Sequence, residues 1–315
     1  MKTQIPDALK SDLPPSTWGK ILSATPVIMT VIATMLAGLA SSEMTRAQYS
    51  RSLAAQQQSK AGDQWNFFQA KRLRGSMQQS TLDLLQSTTT IRTLDATTLR
   101  NAGSAPLSSI LDSPTGQQTL IALFQGQLPA ITTGPAPDPK VQSALEAIDS
   151  SKSEAEIAPF IAALDDRVLT EALRASKDRA TALDVALTPL NKVVAQIEQS
   201  ISGIPRGATG DGGGSLGRDF TAARLRYAVL RYDSEARLNQ AVANLYELQV
   251  RRANMTAERH HRRSQRFFYG MLGAQAAVIV STFSLAARKR NMLWTLAAAA
   301  GLAAIAFAIY VYFYV

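Results

Sequence analysis

The sequence predicts an all-α membrane protein with three transmembrane helices, a long antiparallel coiled-coil hairpin and an inserted helical cap domain. Three observations lead there. Three apolar runs, Ile21 to Ala40, Phe267 to Ala287 and Met292 to Phe313, each extend for about 20 residues without Asp, Glu, Lys or Arg, the length that crosses a hydrocarbon layer at 1.5 Å per residue. Two long stretches, Ser42 to Gln86 and Asp219 to Arg266, carry helical periodicity without a proline. The residues between them are richer in Ser, Thr, Pro and Gly, and no strand pattern or internal repeat emerges anywhere.

In chain order, residues 1–20 form a tail whose Lys2, Lys10 and Lys20 precede the first span, 21–40. A cleaved signal peptide would share that basic flank, but this run exceeds a usual signal core and "GLASSEMTR" is a mediocre small-residue cleavage site, so an uncleaved anchor is expected. Residues 41–87 form the first long helix. Ala61, Trp65 and Phe68, followed by Leu73, Met77 and Leu84, read as one stripe. Residues 218–266 form the returning helix, on which Tyr232, Leu238, Val242 and Leu245 make the facing stripe while Glu235, Arg237 and Glu247 point elsewhere. Both helices continue into spans, so their membrane ends meet one surface and they can pair as an antiparallel coiled coil.

The insert, 88–217, opens with short helices separated by Pro106, Pro114, Pro129, Pro135, Pro137 and Pro139. Ser153 with Glu156 is a capping box ahead of "IAPFIAALDDRVLTEALRA", and "ATALDVALTPLNKVVAQIEQSI" is a further helix, bent or broken near Pro189. Gly203 to Gly217 is expected to be a flexible joint. It holds a literal G-x-G-x-x-G at Gly212, Gly214 and Gly217, but no strand precedes it, and the Gly-Lys-Ser/Thr of a phosphate loop is absent.

The charge distribution narrows the function. The net charge of +9 concentrates beside the spans, in Arg251 to Arg266 and Arg288 to Arg290, which points to lipid headgroups and away from nucleic acid. Arg259, Arg262, Arg263, Arg266, Arg288, Lys289 and Arg290 are the candidate headgroup ligands. With no cysteine, disulfides, thiolate metal sites and cysteine nucleophiles are excluded. His260 and His261, the only histidines, point about 100° apart on a helix and cannot clasp one metal together. They are expected to extend the basic collar. No nucleophile, base and orienting group occur together, so no catalytic, cofactor or metal residue is expected.

Within the spans, Gly270, Gly273 and Ala277 in the second (267–287) and Ala297 and Gly301 in the third (292–314) are small residues at intervals that allow close helix approach. Gln275 is expected to hydrogen-bond to a neighbouring helix, with a polar path as the alternative. The lysines of the tail and the "RKR" loop place the N-terminus in the cytoplasm and the central region in the periplasm, against the vote of the Arg251 to Arg266 collar.

The stretch "DQWNFFQAKRLR", Asp63 to Arg74, resembles the D-Q-W-x-[FY]-[FY]-Q-A-K signature of a bacterial membrane-protein family known as domain of unknown function 4337. The basic helix entering two spans joined by an Arg/Lys loop, followed by "NMLW", is similar to that family's ending. The resemblance covers roughly Lys20 to Leu85 and Asp219 to Val315; the insert departs from it. It implies an architecture in the inner membrane and no reaction. The expected role is a non-enzymatic scaffold or oligomeric assembly subunit, contacting membrane lipids, further copies of itself and another membrane complex; a channel or transporter accessory subunit is the alternative. Trp65 and Phe68 are expected to pack on the returning helix, and Phe67, flanked by Lys71 and Arg74, to meet another subunit.

Overall fold

The computed structural model describes residues 17–102, 105–131, 138–150, 152–203, 212–286 and 290–314. Their regular elements are all α-helices: α1 (Thr17–Thr88), α2 (Ala96–Ala102), α3 (Ala105–Asp112), α4 (Pro114–Gln125), α5 (Pro139–Asp149), α6 (Glu154–Ala162), α7 (Asp166–Ser202), α8 (Gly212–Ala286) and α9 (Arg290–Tyr314). Three of these helices, α1, α8 and α9, are long and apolar enough to cross a membrane. The chain divides into two compact units, residues 1–54 with 252–315, and residues 55–251.

Helices α1 and α8 owe their length to a missing break. The only proline among the 72 residues of α1 is Pro26, near its start. Around it Thr25 and Thr30 donate their hydroxyls to the carbonyls of Ile21 and Pro26, at 2.8 Å each, side-chain hydrogen bonds that stay within the helix. The inward face of α1 is made of small residues. Ala40, Ala47, Ala54 and Ala61 recur every seventh position and are all buried, and Leu82 continues the series. On α8 the buried Ala222, Ala236, Ala243, Val250, Ala257 and Ser264 fall on the same repeat. A sustained seven-residue period keeps one seam facing a neighbour along a long helix, and alanine lets backbones approach closely.

This corrects the expected stripe. Leu73, Met77 and Leu84 are exposed, at 63%, 59% and 64%. They lie off the alanine series because seven-residue steps from Ala61 lead to Phe68, Gly75 and Leu82. Glu235 and Glu247, expected to point elsewhere, turn toward α1: Glu235 accepts from Lys71 and Glu247 from Trp65.

In the first unit, Ala33, Leu36 and Ala40 of α1 pack with Phe267 and Ala274 of α8 and with Ala304 and Val311 of α9. Gly270 is buried; a Cβ there would touch Leu36 and Phe307 at 3.5 and 3.6 Å. Ala277, Ala297 and Gly301 are buried too, and at Gly301 a Cβ would press on the thioether end of Met29. Gly273 differs from the expected packing role: it is exposed, with nothing within 4 Å of the Cβ position.

In the second unit the principal core joins α2, α3 and α4 to the C-terminal half of α7 and the start of α8. Leu99, Leu107, Leu111, Leu187, Leu190, Ile197 and Phe220 are among its most buried members. Each such side chain contributes about 1.5–3 kcal/mol of transfer free energy. Helix α4 has sharp ends: Ser113 accepts the Gly116 N–H at 3.0 Å, Pro114 occupies the first turn, and Gly126 closes it in the left-handed region at φ 66°. Asp138 before Pro139 caps α5 in the same way.

Three expectations for the insert need correction. The run "IAPFIAALDDRVLTEALRA" is two helices, because α6 ends at Ala162 and Asp165 caps α7 by accepting the Arg167 N–H at 3.3 Å. The capping box of Ser153 and Glu156 does open α6. Of the bend or break expected near Pro189, the break does not occur: α7 runs for 37 residues through it. The carbonyl that Pro189 leaves without an N–H partner belongs to Val185, which is 66% exposed and so has access to water. Lastly, α8 begins at Gly212, so the glycines of the G-x-G-x-x-G lie in the first turns of a helix rather than in a loop; residues 204–211 of the expected joint lie outside the described residues.

Candidate functional site: an ion pair and groove where the apolar helices turn polar

The apolar run of α1 ends at Ala40, and that of α8 begins at Phe267. At this boundary the two helices exchange polar contacts. Ser264, itself buried, donates its hydroxyl to the Ala40 carbonyl at 2.7 Å. One turn further along α1, the Glu43 carboxylate lies 2.6 Å from His260 Nδ1 and accepts from Arg46 at 3.3 Å. Glu43 and His260 keep only 11% and 18% of their side-chain surface, so water competes weakly for this pair. Partner numbers fall on α8 as they rise on α1, so the helices run antiparallel here.

His260 is therefore turned into the helix pair, contrary to the outward basic collar expected of both histidines. His261 faces elsewhere, as the helical rotation requires. Its Nε2 sits 3.1 Å from the Gln265 side-chain nitrogen, and its Nδ1 is buried without a hydrogen-bond partner among the described residues. His261 and Gln265, together with Ser41 of α1, border a groove of about 510 Å³ whose remaining lining is mainly apolar. Among the described residues no three His, Asp or Glu side chains gather as a metal site would require.

The stretch of α8 that carries His261 and Gln265 is mostly positive. Arg259 and Arg262 are exposed, and Arg263 and Arg266 are half-buried. Arg262 donates to Glu258 at 3.0 Å. That hydrogen bond, with the nearby charges of Arg262, His261 and Arg51, holds the Glu258 carboxyl below its ordinary range. Of the other expected headgroup ligands, Arg288 and Lys289 lie outside the described residues, and Arg290 is the first residue of α9. Gln275 is exposed, on the outer face of α8.

In the second unit α1 and α8 are also antiparallel, and the aromatic motif supplies their main polar contacts. Trp65 Nε1 donates to Glu247 Oε1 at 2.6 Å, while its ring meets Phe68 edge-on at 5.4 Å. Lys71 binds Glu235 and lies 5.6 Å above the Tyr232 ring, and Arg72 reaches Asp233 at 3.6 Å. Lys71 is thus committed within the chain, which corrects its expected place beside Phe67 on a surface for another subunit. Phe67 itself is 55% exposed. Val242 and Leu245 are buried, and Leu238 packs against the principal core.

A second polar cluster ties α7 to α8. The Tyr227 hydroxyl and Arg231 both donate to Asn191 Oδ1 at 2.9 Å, and Arg231 lies 3.5 Å from Glu235. Burial pushes the Tyr227 phenol up to about 12, opposed by Arg231 and reinforced by Glu235. The sequence reading missed Glu43, Ser264, Asn191 and Tyr227. The available signal was the seven-residue repeat, which places Glu43 three residues after Ala40, and Ser264 seven after Ala257.

No curated protein and no solved structure matches the chain. The resemblance carried by the DQW motif is upheld in its first part, since the matched residues contain α1 from its second residue and all of α2. Residues 18–102 match the family described as Domain of unknown function (DUF4337).

Proposed function

We propose that the protein is a non-enzymatic integral membrane scaffold that self-associates, with α1 and α8 forming an antiparallel coiled coil that carries the helices of the insert as a cap. The observation that carries this reading is the second apolar ridge of α1. Leu73, Met77 and Leu84 are spaced by four and seven residues, as coiled-coil core positions are, yet each is more than half exposed. Phe67 adds an exposed aromatic ring to the same helix. A helix with two apolar seams, one filled by α8 within the chain and one open, has the pattern of a subunit that meets a second copy.

The three membrane-length helices support an integral placement. Their outward side chains, including Val27, Val31 and Met35 of α1, Ile279 and Phe283 of α8, and Leu302 and Phe313 of α9, are exposed as lipid-facing residues would be. The proposed setting is the bacterial cytoplasmic membrane, with the N-terminus inside and the insert in the periplasm. Protease treatment of sealed spheroplasts tests this orientation: cleavage confined to lysed cells would reverse it. The channel-accessory reading has no comparable support, since the exposed Gln275 would need a second chain to line any path.

Mass photometry of the full chain in mild detergent tests the assembly. A defined oligomer is expected, and Leu73→Glu with Met77→Glu should reduce it to single copies. A strict monomer for the unaltered chain would overturn the proposal.

A further inference from the structure

We propose that the groove between α1 and α8 at the polar boundary is a binding site for one anionic phospholipid, which lays an acyl chain along the groove and its phosphate at the mouth. The inference rests on the membrane placement proposed above and adds a specific ligand to it.

The lining is ordered along the helix axes as a lipid is. Ala37, Ala40 and Phe268 line the groove within the apolar runs, while His261 and Gln265 line it on the polar side. From Met271 back to His261 the groove follows α8 for about 15 Å, at 1.5 Å per residue, on the order of half a hydrocarbon layer. Its volume of about 510 Å³ falls in the roughly 300–1,000 Å³ range of sites that enclose small organic ligands.

The mouth favours an anion. Arg262 follows the lining residue His261 directly on α8 and comes one turn before the lining residue Gln265, and it is the residue that engages Glu258. Nδ1 of His261, a lining residue, is buried without a hydrogen-bond partner among the described residues, and a buried polar nitrogen of that kind gains most from an incoming acceptor. A headgroup phosphate supplies acceptor oxygens and negative charge together, and a chain lying over the apolar floor would exclude water from that nitrogen.

The test uses the full chain purified in mild detergent and depleted of lipid, titrated with phosphatidylglycerol, with phosphatidylcholine of the same chains, and with inorganic phosphate. Binding is read as thermal stabilisation and as lipid retained in native mass spectrometry. One retained phosphatidylglycerol is expected, at about tenfold higher affinity than phosphatidylcholine. Arg262→Gln should lower the anionic affinity roughly fivefold, and His261→Ala should lower it further, with phosphatidylcholine binding unchanged. Ala37→Leu, which fills the apolar floor, should weaken both lipids. Equal affinities for the two lipids, stabilisation by phosphate alone, or unaltered binding in all three variants would overturn the proposal. Alkaline carbonate extraction of native membranes separates the two readings: release of the protein defeats the membrane placement, whereas retention without lipid discrimination defeats the groove alone.

Discussion

Trp65 Nε1 donates a 2.6 Å hydrogen bond to Glu247 Oε1 across 182 positions of sequence, so the most distinctive motif residue of α1 is held by a carboxylate of α8. Hydrogen bonds to charged groups contribute about 1.5–3 kcal/mol. Trp65→Phe keeps a ring against Phe68 but removes the donor, and should destabilise the second unit by that amount. Glu247→Gln should cost less, because an amide oxygen still accepts. A double-mutant cycle in thermal denaturation should give a coupling of at least about 0.5 kcal/mol; strict additivity would show that the contact does not contribute.

Gly116 tests the packing of the insert. A Cβ there would lie 2.1 Å from the Ile110 carbonyl oxygen and 2.8 Å from that of Leu111, both backbone atoms that no side-chain rotation can move aside. Gly116→Ala should therefore open the junction of α3 and α4 and cost about 1–3 kcal/mol or more, despite alanine's better helix propensity. Increased amide exchange across α3 and α4 is the measurement. Gly203→Ala, whose Cβ would make ordinary contacts at 3.6 Å, is the control.

These contacts show what was legible in the sequence. Run length and charge exclusion gave the three apolar helices, and proline and capping residues gave the helices of the insert, because both signals are local. The seam of α1 is not legible from its largest apolar residues, because Leu73, Met77 and Leu84 lie outside it. A closely approached helix pair selects the smallest residues instead, and Ala47, Ala54 and Ala61 look like ordinary helix formers until their seven-residue spacing is noticed. Glu43, Glu235 and Glu247 were hidden by the default of carboxylates for solvent. Each is placed by a cationic or donor partner distant in sequence, which no local pattern announces. Pro189 does not break α7, since the carbonyl that it frees belongs to the exposed Val185.

Ala61, fully buried, and Phe67, 55% exposed, separate the filled seam of α1 from its exposed surface. Ala61→Leu should cost about 1–3 kcal/mol by overpacking against α8 and lower the thermal midpoint. Phe67→Ala should leave the midpoint within the roughly 0.5 kcal/mol of ordinary surface changes, while lowering the oligomeric fraction in mass photometry. Equal loss of stability in both variants would remove the distinction.

At the membrane-side boundary, Glu43→Ala removes the acceptor of both His260 and Arg46, whereas Ser264→Ala removes one hydroxyl donor to a carbonyl. The first should cost about 1.5–3 kcal/mol and the second about 0.5–1.5 kcal/mol. Thermal unfolding of the detergent-solubilised chain gives the order; a larger loss from Ser264→Ala would show that the Glu43 carboxylate adds little to this joint.

Tyr227 gives the stability a defined alkaline limit. Its phenol is neutral when it donates to Asn191, and burial raises its pKa from 10.0 to about 12. With the folded value above the unfolded one, the contribution is fully present below pH 10, where both states hold the proton. It declines as the unfolded phenol ionises first, between 10 and about 12, and is spent above the folded value. A spectrophotometric titration should contain a late ionisation step that vanishes in Tyr227→Phe. The same variant should lose part of the fall in thermal midpoint above pH 10, while starting lower at neutral pH through loss of the bond to Asn191. Arg231→Gln sharpens the test: the guanidinium favours the phenolate, so its removal should move the late step to still higher pH, and a shift downward would contradict the placement of Arg231 beside the phenol.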